Sequence, residues 1–375
     1  MKKFSIRSLS LLGALIAIFV FFAIKDPQFL SARNLSILLI DLSITAVLAV
    51  GMLLIILPGH IDLSCGSGVG LLGGVAAILI SEHSFSAPVA MAVTLALALL
   101  LWSGMGALIV FERIPAFIIT LGGLLIFKGA HWLVIHNSTI PIVAGGSDNI
   151  YSLLTTWYLP KPAGYALAAM VAAAFVFAQF SARRRRAKFG LAPEPSAMFA
   201  AKLFALVAGA FAFVVIANAY RGVPLSAMIL GAVALAVWVL TQHTRFGRYL
   251  YAIGGNEEAA FVSGIPVKKI VLGSFAIMGA ITAITGFLQT AYAGYSTTTV
   301  GQLMELDAVA ACVIGGTSLK GGRGSVGGVL FGSLIMASLL NGMTLLAVSP
   351  EIKFIARGVV LAAAVWMDVR VGRRG

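Results

Sequence analysis

Charge is scarce in this sequence. Only 10% of its 375 residues are charged, whereas 60% are hydrophobic, and the mean hydropathy is +1.03. A soluble protein of this length needs far more polar surface, because contiguous apolar surface in water promotes association and aggregation. The composition therefore excludes an ordinary soluble protein and predicts a chain embedded in a membrane.

Several residue types and motifs that carry chemistry are rare or missing. The two cysteines, Cys65 and Cys312, lie inside apolar runs without metal ligands at a useful spacing, which predicts that they pack as small side chains. The sequence has no GxxxxGK(S/T), HExxH or GxSxG motif, and its five histidines are scattered. We therefore expect no catalytic residue, no metal site and no nucleotide site in this chain.

Acidic residues are few as well, with 13 Asp and Glu against 26 Lys and Arg and a net charge of +13. Basic residues clustered on a soluble domain would suggest nucleic-acid binding, but here they fall in the gaps between apolar runs. Loops rich in Lys and Arg stay in the cytoplasm. We therefore interpret the clusters, above all Arg183–Arg186, as topology anchors and predict no nucleic-acid partner.

Twelve apolar runs are long enough, or nearly so, to cross a bilayer, which takes about 20 residues of helix. They are 9–24, 37–57, 63–80, 88–110, 116–135, 164–180, 203–220, 226–241, 270–291, 307–318, 326–347 and 353–367. The short run 307–318 is typical of a half-helix or a re-entrant segment, so we expect about 10–12 transmembrane helices. The first run lacks a clear small-x-small cleavage site and is interpreted as a retained span.

The distribution of basic residues predicts the topology. Alternating through the spans from a cytoplasmic N-terminus places most Lys and Arg, and the C-terminus, in the cytoplasm. Residues 242–269 and the basic loop 181–202 are then cytoplasmic, whereas the nearly uncharged loop 136–163 is periplasmic. No segment between the spans has the length of a soluble domain. Residues 1–375 are therefore predicted to form a single transmembrane domain.

Two stretches predict discontinuous helices. In LPGHIDLSCGS, Pro58 and Gly59 break a span, and Asp62 occupies the position of an N-cap for the next helix. In ELDAVAACVIGGTSLKGGRGSVGG, Glu305–Gly328, two acids again begin a short apolar helix. Discontinuous spans often line transport pathways, but capping alone explains acids at helix starts equally well. The candidate pathway or helix-break residues are Asp62, Ser64, Gly66, Asp307 and Asn341.

The polar stretch YAIGGNEEAAFVSGIPVKK, Tyr251–Lys269, carries the signals of one short helix of about two turns. Asn256 is a favoured N-cap, and the two glutamates after it place negative charge where the helix dipole favours it. Gly264 suits a left-handed terminal residue, and Pro266 prevents continuation. So short a helix needs tertiary contacts. Its apolar side could rest on the bilayer, on its own bundle or, as we slightly favour, in a groove of another protein.

The segment FGRYLYAIGGNEEAAFVSGIPVKK resembles the coupling loop of the membrane permeases of bacterial ABC sugar importers, the ribose, arabinose, galactose and xylose group. The resemblance extends through AVGMLLIILPGHIDLSCGSGVGLLGGVAA, ELDAVAACVIGGTSLKGGRGSVGG, MASLLNGMTLL and AVWMD. The additional apolar runs around 164–220 are most similar to the xylose-type branch. His60 and Cys65 depart from the family's pattern, in which we expect a small or acidic residue and an aliphatic one.

This resemblance implies an all-α polytopic protein of the inner membrane, a homodimeric permease that translocates a monosaccharide, D-xylose or a related pentose. Its implied partners are a cytoplasmic ATP-binding cassette ATPase, which uses ATP and Mg, and a periplasmic sugar-binding protein. The chain itself is expected to bind no cofactor. The residues that the resemblance assigns to ATPase coupling are Asn256, Glu257, Glu258, Ala259, Ala260, Phe261, Gly264 and Ile265.

Two alternatives belong to other functional classes. A stand-alone ion-coupled secondary transporter would use Asp41, Asp62 or Asp307 as a proton or cation site. Against it, the best of these acids lie at helix starts, where capping explains them. A membrane-embedded enzyme is disfavoured by the missing catalytic motifs.

Overall fold

The protein is described here from a computed structural model that covers residues 6–143, 148–190 and 195–372. The predicted cytoplasmic ends of the chain, with Lys2, Lys3, Arg373 and Arg374, lie outside the described residues. So do the centres of the loops 136–163 and 181–202.

Fifteen α-helices make up nearly all regular structure in the described ranges. They are α1 (Ile6–Lys25), α2 (Ala32–Ile56), α3 (Cys65–Ser81), α4 (Ala87–Phe111), α5 (Ala116–Val134), α6 (Ile150–Thr156), α7 (Lys161–Lys188), α8 (Ser196–Asn218), α9 (Leu225–His243), α10 (Arg245–Gly255), α11 (Glu257–Val262), α12 (Val267–Ala293), α13 (Met304–Ile314), α14 (Val326–Leu345) and α15 (Pro350–Gly372). A 3-10 helix, Pro27–Leu30, joins α1 to α2. The prediction of an all-α polytopic membrane protein is confirmed.

Four two-residue strands tie loops together in antiparallel pairs. They are β1 (Ile140–Pro141), β2 (Tyr158–Leu159), β3 (Val223–Pro224) and β4 (Tyr295–Ser296). β1 pairs with β4, and β2 pairs with β3. The first pair holds the loop after α5 to the loop after α12. The second pair holds the connection between α6 and α7 to the connection between α8 and α9.

Each of the twelve predicted apolar runs lies mostly in helix. Among the described residues, eight helices are long and apolar enough to cross a membrane, namely α2, α4, α5, α7, α8, α9, α12 and α14. Two further apolar helices, Leu11–Lys25 within α1 and the whole of α3, are shorter. A span needs about 20 apolar residues. The remaining helices are shorter or more polar than that, namely α6, α10, α11, α13 and α15.

Helix α2 lies at the centre of the bundle. The stretch from Ala46 to Leu57 is almost completely buried, and α9, α12, α13 and α14 pack around the helix. A helix that is apolar on all sides is buried on all sides. By contrast, α7 and α8 pack mainly on each other and leave most of their apolar surface exposed, as expected of helices that face lipid.

Three predicted connections contain more helix than the sequence indicated. The connection 242–269 contains the predicted short helix as α11, and α10 is an additional helix before it that the sequence did not predict. The basic loop 181–202 is largely helical, because α7 continues to Lys188 and α8 begins at Ser196. The loop 136–163 includes α6. The additional helix α10 buries Leu250 and Ile253 against the bundle, a contact that its own sequence does not reveal.

Candidate functional site

Helix α11 begins and ends where its sequence predicts. The Asn256 side chain accepts a hydrogen bond from the Ala259 N–H at 2.9 Å, and Glu257 and Glu258 occupy the first turn. Gly264 has a φ of +79°, and its N–H donates to the Phe261 carbonyl at 2.9 Å. Capping and a left-handed terminal residue thus fix both ends of this two-turn element.

The apolar side chains of α11 divide between the bundle and the exterior. Ala260 is buried and Ile265 is half-buried. Phe261 and Val262 are 73% and 85% exposed. Two large apolar side chains therefore project outward from a segment that is otherwise polar. Phe261 and Val262 therefore do not rest on the bundle, and for these two residues that interpretation of the sequence is wrong.

Helix α10 joins α11 to the bundle through one side-chain hydrogen bond and through closely packed backbone. The Tyr251 hydroxyl donates to the Gly324 carbonyl at 2.9 Å. The Gly322 N–H donates to the Leu57 carbonyl at 2.9 Å. A Cβ on Gly254 would lie 1.8 Å from that same carbonyl oxygen and 2.3 Å from the Gly322 nitrogen. We call the contact of Leu57, Gly254 and Gly322 the glycine junction. It joins the end of α2, α10 and the turn before α14, and position 254 has room only for glycine.

A groove of about 970 Å³ lies beside α11 and the start of α12. Its lining is largely apolar but includes His60, Arg113, Glu257 and Lys268. Burial lowers the pKa of the His60 imidazole, and the Glu257 carboxylate acts in the opposite direction. Burial is the larger of the two effects, so this histidine between α2 and α3 favours its neutral form.

Asp62 is completely buried between α2 and α3. Its Oδ1 accepts from the Ser64 N–H at 2.8 Å and from the Ser64 hydroxyl at 2.6 Å, and its Oδ2 accepts from the Trp102 Nε1–H at 2.7 Å. The N-cap of α3 is Ser64, so the placement of Asp62 at that position is wrong by two residues. The carboxylate nevertheless serves the start of α3, and both of its oxygens have partners inside the protein.

The starts of the two broken helices meet in the middle of the molecule. A Cβ on Gly66 in α3 would lie 1.8 Å from the Glu305 Oε2 and 2.9 Å from the Gly301 carbonyl oxygen. One turn further along α3, a Cβ on Gly70 would lie 2.5 Å from the Val300 carbonyl oxygen. The turns before α13 thus pack directly on the small residues of α3. The absence of a side chain at Gly66 permits this close packing of α3 against the start of α13.

A second, more polar cavity of about 230 Å³ lies among α2, α12, α13, α14 and α15. Among its lining residues are Asp41, Thr299, Gln302, Asp307, Asn341 and Arg357. The Asn341 amide donates to the Asp41 Oδ2 at 3.3 Å. The Asp307 Oδ1 lies 3.2 Å from the Arg357 Nε, close enough for an ion pair but without hydrogen-bond geometry.

The structure therefore separates the five candidate pathway or helix-break residues into two groups. Asp307 and Asn341 line the polar cavity, whereas Asp62, Ser64 and Gly66 lie in the packed region between α3 and its neighbours. Sequence reasoning missed Trp102 and Gln302 and gave Arg357 no role. A basic residue inside an apolar run is a signal for Arg357, and a tryptophan inside an apolar span is a signal for a buried acceptor.

Comparison with known proteins relates the chain to transport permeases. Residues 34–365 match the family described as branched-chain amino acid transport system / permease component. The xylose transport system permease protein XylH of Escherichia coli K12 is 40% identical over 100% of this chain and 94% of its own length. The XylH protein of Haemophilus influenzae is 40% identical over 98% and 97% of the two chains. The ribose import permease protein RbsC of Escherichia coli K12 is 34% identical over 95% and 92%. No solved structure matches.

Proposed function

The chain belongs to the branched-chain amino acid transport system / permease component family, and from this premise we propose that it is the membrane subunit of an ATP-driven importer for D-xylose or a related pentose. Its many apolar helices and its permease relatives make it a multi-pass protein of the inner membrane. The single observation that carries the sugar assignment is the 40% identity to XylH over the full chain. The family description names amino acids, so the substrate class needs a direct test.

The proposed partners are a cytoplasmic ATP-binding cassette ATPase, a periplasmic sugar-binding protein and a second copy of this chain. The exposed Phe261 and Val262 support the first of these, because an amphipathic helix presenting apolar side chains fits a groove on a partner. ATP and Mg would be used by the ATPase. This chain would supply the path for the sugar, and its α11 would dock on the ATPase.

The glycine junction supports a route for coupling. When the ATPase closes on nucleotide, it would displace α11, and α10 would carry that displacement to Leu57 and Gly322. Leu57 ends α2 before the first break, and Gly322 lies in the turn between α13 and α14. Packed contacts transmit movement because close-packed interiors cannot absorb it locally. Both discontinuous helices would therefore respond to one contact.

Reconstitution tests the proposed function. The permease, its ATPase and its binding protein would be placed in liposomes, and uptake of labelled D-xylose, D-ribose and L-leucine would be measured with and without ATP. We expect ATP-dependent xylose uptake that survives collapse of the proton gradient. Leucine uptake without sugar uptake would contradict the substrate assignment, and uptake without the ATPase would favour an ion-coupled carrier.

A charge placed on α11 tests the coupling assignment. Phe261→Asp should abolish co-purification of the ATPase and ATP-driven uptake while leaving membrane insertion intact, because a carboxylate would enter an apolar groove without a partner. Ile150→Asp is the matched control, since Ile150 is 55% exposed at the start of α6, far from α11 in sequence. Equal loss in both variants, or ATPase binding retained by Phe261→Asp, would rule out docking through α11.

A further inference from the structure

The polar cavity is unusual because it places charged and amide side chains inside the bundle of spans. It is bounded by five helices and by the segment 299–304. Gln302 and Thr344 are exposed at its mouth, whereas Ala337, two turns before Thr344 in α14, is buried. Ionisable groups within spans are costly, and those that persist mark pathways or binding sites.

Two lining residues of the cavity, Asp41 and Asn341, belong to a hydrogen-bonded row of side chains that continues to Asn34 behind the cavity wall. The Asn34 Nδ2 donates to the Phe29 carbonyl at 2.9 Å and to the Asn341 Oδ1 at 3.0 Å. The Asn341 Nδ2 in turn points to the Asp41 Oδ2. Asn34 and Asn341 are 7% and 6% exposed. The row fixes the orientation of the Asn341 amide, so the cavity presents a preset pattern of donors and acceptors.

Another part of the cavity lining contains polar atoms without a hydrogen-bond partner among the described residues. Asp307 is 4% exposed, and its Oδ1 and the Arg357 Nε are both buried. Although these atoms lie 3.2 Å apart, neither makes a hydrogen bond to any described residue. A buried polar atom without a hydrogen-bond partner is costly. The Asp307 and Arg357 side chains both line the cavity, so a hydroxyl that enters it can accept from the guanidinium and donate to the carboxylate.

We propose that the polar cavity is a passage site that holds a monosaccharide by its hydroxyl groups during translocation, with Asn341, Asp41, Gln302 and the Asp307–Arg357 pair as its contacts. This inference rests on the proposed function. A sugar hydroxyl is both donor and acceptor, so it matches walls that carry carboxylates, amides and a guanidinium. A volume of about 230 Å³ corresponds to roughly seven or eight liquid water molecules at about 30 Å³ each, room for one small sugar.

Cysteine modification tests this site with little background, because Cys65 and Cys312 are both completely buried. Gln302→Cys and Thr344→Cys place a thiol at the mouth of the cavity, and Ser138→Cys places one on an exposed loop that does not line it. Each variant would be reconstituted with ATPase and binding protein. It would then be treated from the binding-protein side with membrane-impermeant methanethiosulfonates, one small and one bulky.

We expect the bulky adduct to abolish xylose uptake in both mouth variants and the small adduct to leave part of it. Removing the adduct with reductant should restore uptake, which shows that the protein stayed folded. The original permease and Ser138→Cys should be insensitive. Full uptake by the bulky-labelled mouth variants would overturn the passage site while leaving the proposed function intact. Failure of the unmodified permease to take up any sugar would overturn both.

Discussion

At the scale of single residues, Asp62 shows how a buried carboxylate becomes structural. Three donors, the Ser64 N–H, the Ser64 hydroxyl and the Trp102 indole N–H, occupy its two oxygens within 2.8 Å. Buried hydrogen bonds of this length hold their partners in place, because a buried polar group that loses its partner is costly. They fix the start of α3 against α4. A pathway role would require at least one oxygen to face the polar cavity, and Asp62 does not line it.

Asp62→Asn should therefore destabilise the protein. Asparagine has one acceptor oxygen, so its NH₂ group must face either Trp102 or Ser64, and a buried donor then loses its acceptor. The expected cost is about 1–3 kcal/mol, measured as a lower unfolding temperature of the detergent-purified protein. Asp26→Asn is the control, because that carboxylate accepts from the Gln28 N–H at the surface and asparagine can replace it. Equal unfolding temperatures for both variants would contradict this account.

At the scale of elements, α10 and α11 act as one unit with two different faces. Helix α10 packs Leu250 and Ile253 into the bundle, whereas α11 presents Phe261 and Val262 outward. The glycine junction is the point where this unit touches both broken helices. A contact made of backbone atoms has little freedom to adjust, so it transmits displacement better than long side chains do.

Gly254→Ala should uncouple ATP hydrolysis from transport. Its methyl group would lie 1.8 Å from the Leu57 carbonyl oxygen, so α10 must move away from the end of α2. Overpacking of this kind costs about 1–3 kcal/mol. Uptake should fall, while the ATPase should still bind through α11.

Gly255→Ala is the matched control for that variant, since nothing lies within 4 Å of a Cβ at the neighbouring position. The measurements are sugar uptake and ATPase activity in the same liposomes. If Gly254→Ala transports sugar as well as Gly255→Ala, the glycine junction does not carry the coupling.

At the scale of the whole molecule, the bundle has two distinct ends. The breaks at Leu57 and Gly322 gather with α11 at one end, and the pairing of β1 with β4 gathers loops at the other. Positively charged loops predict that the α11 end is cytoplasmic. Helices α7 and α8 form a peripheral pair whose basic end, with Arg184–Arg186 exposed, is predicted on that same side.

Thiol labelling checks this orientation with two matched serine replacements. Ser138 and Ser263 are both exposed, on the loop before β1 and at the end of α11 respectively. In intact cells whose outer membrane is permeable to the reagent, Ser138→Cys should react with an impermeant maleimide. Ser263→Cys should react only after the inner membrane is opened. The reverse pattern would invert the predicted topology.

Local sequence signals are enough to predict the membrane class, the helical positions of the apolar runs and both ends of α11. These features depend on hydropathy over about 20 residues or on capping within one turn, so the information is local. The helix starts at both breaks were located to within a few residues for the same reason. The resemblance carried by the coupling segment and the breaks predicted the permease family, and the comparisons confirmed it.

Which of those residues act together depends on tertiary contacts. Trp102 reaches Asp62 across 40 residues, and Asn34 reaches Asn341 across 307. Whether an acid in a span caps a helix or lines a cavity depends on neighbours brought by other helices. Helix packing in a membrane selects those neighbours by small residues and shape rather than by any local pattern. Asp62 and Asp307 therefore look alike in the sequence but have different surroundings in the fold.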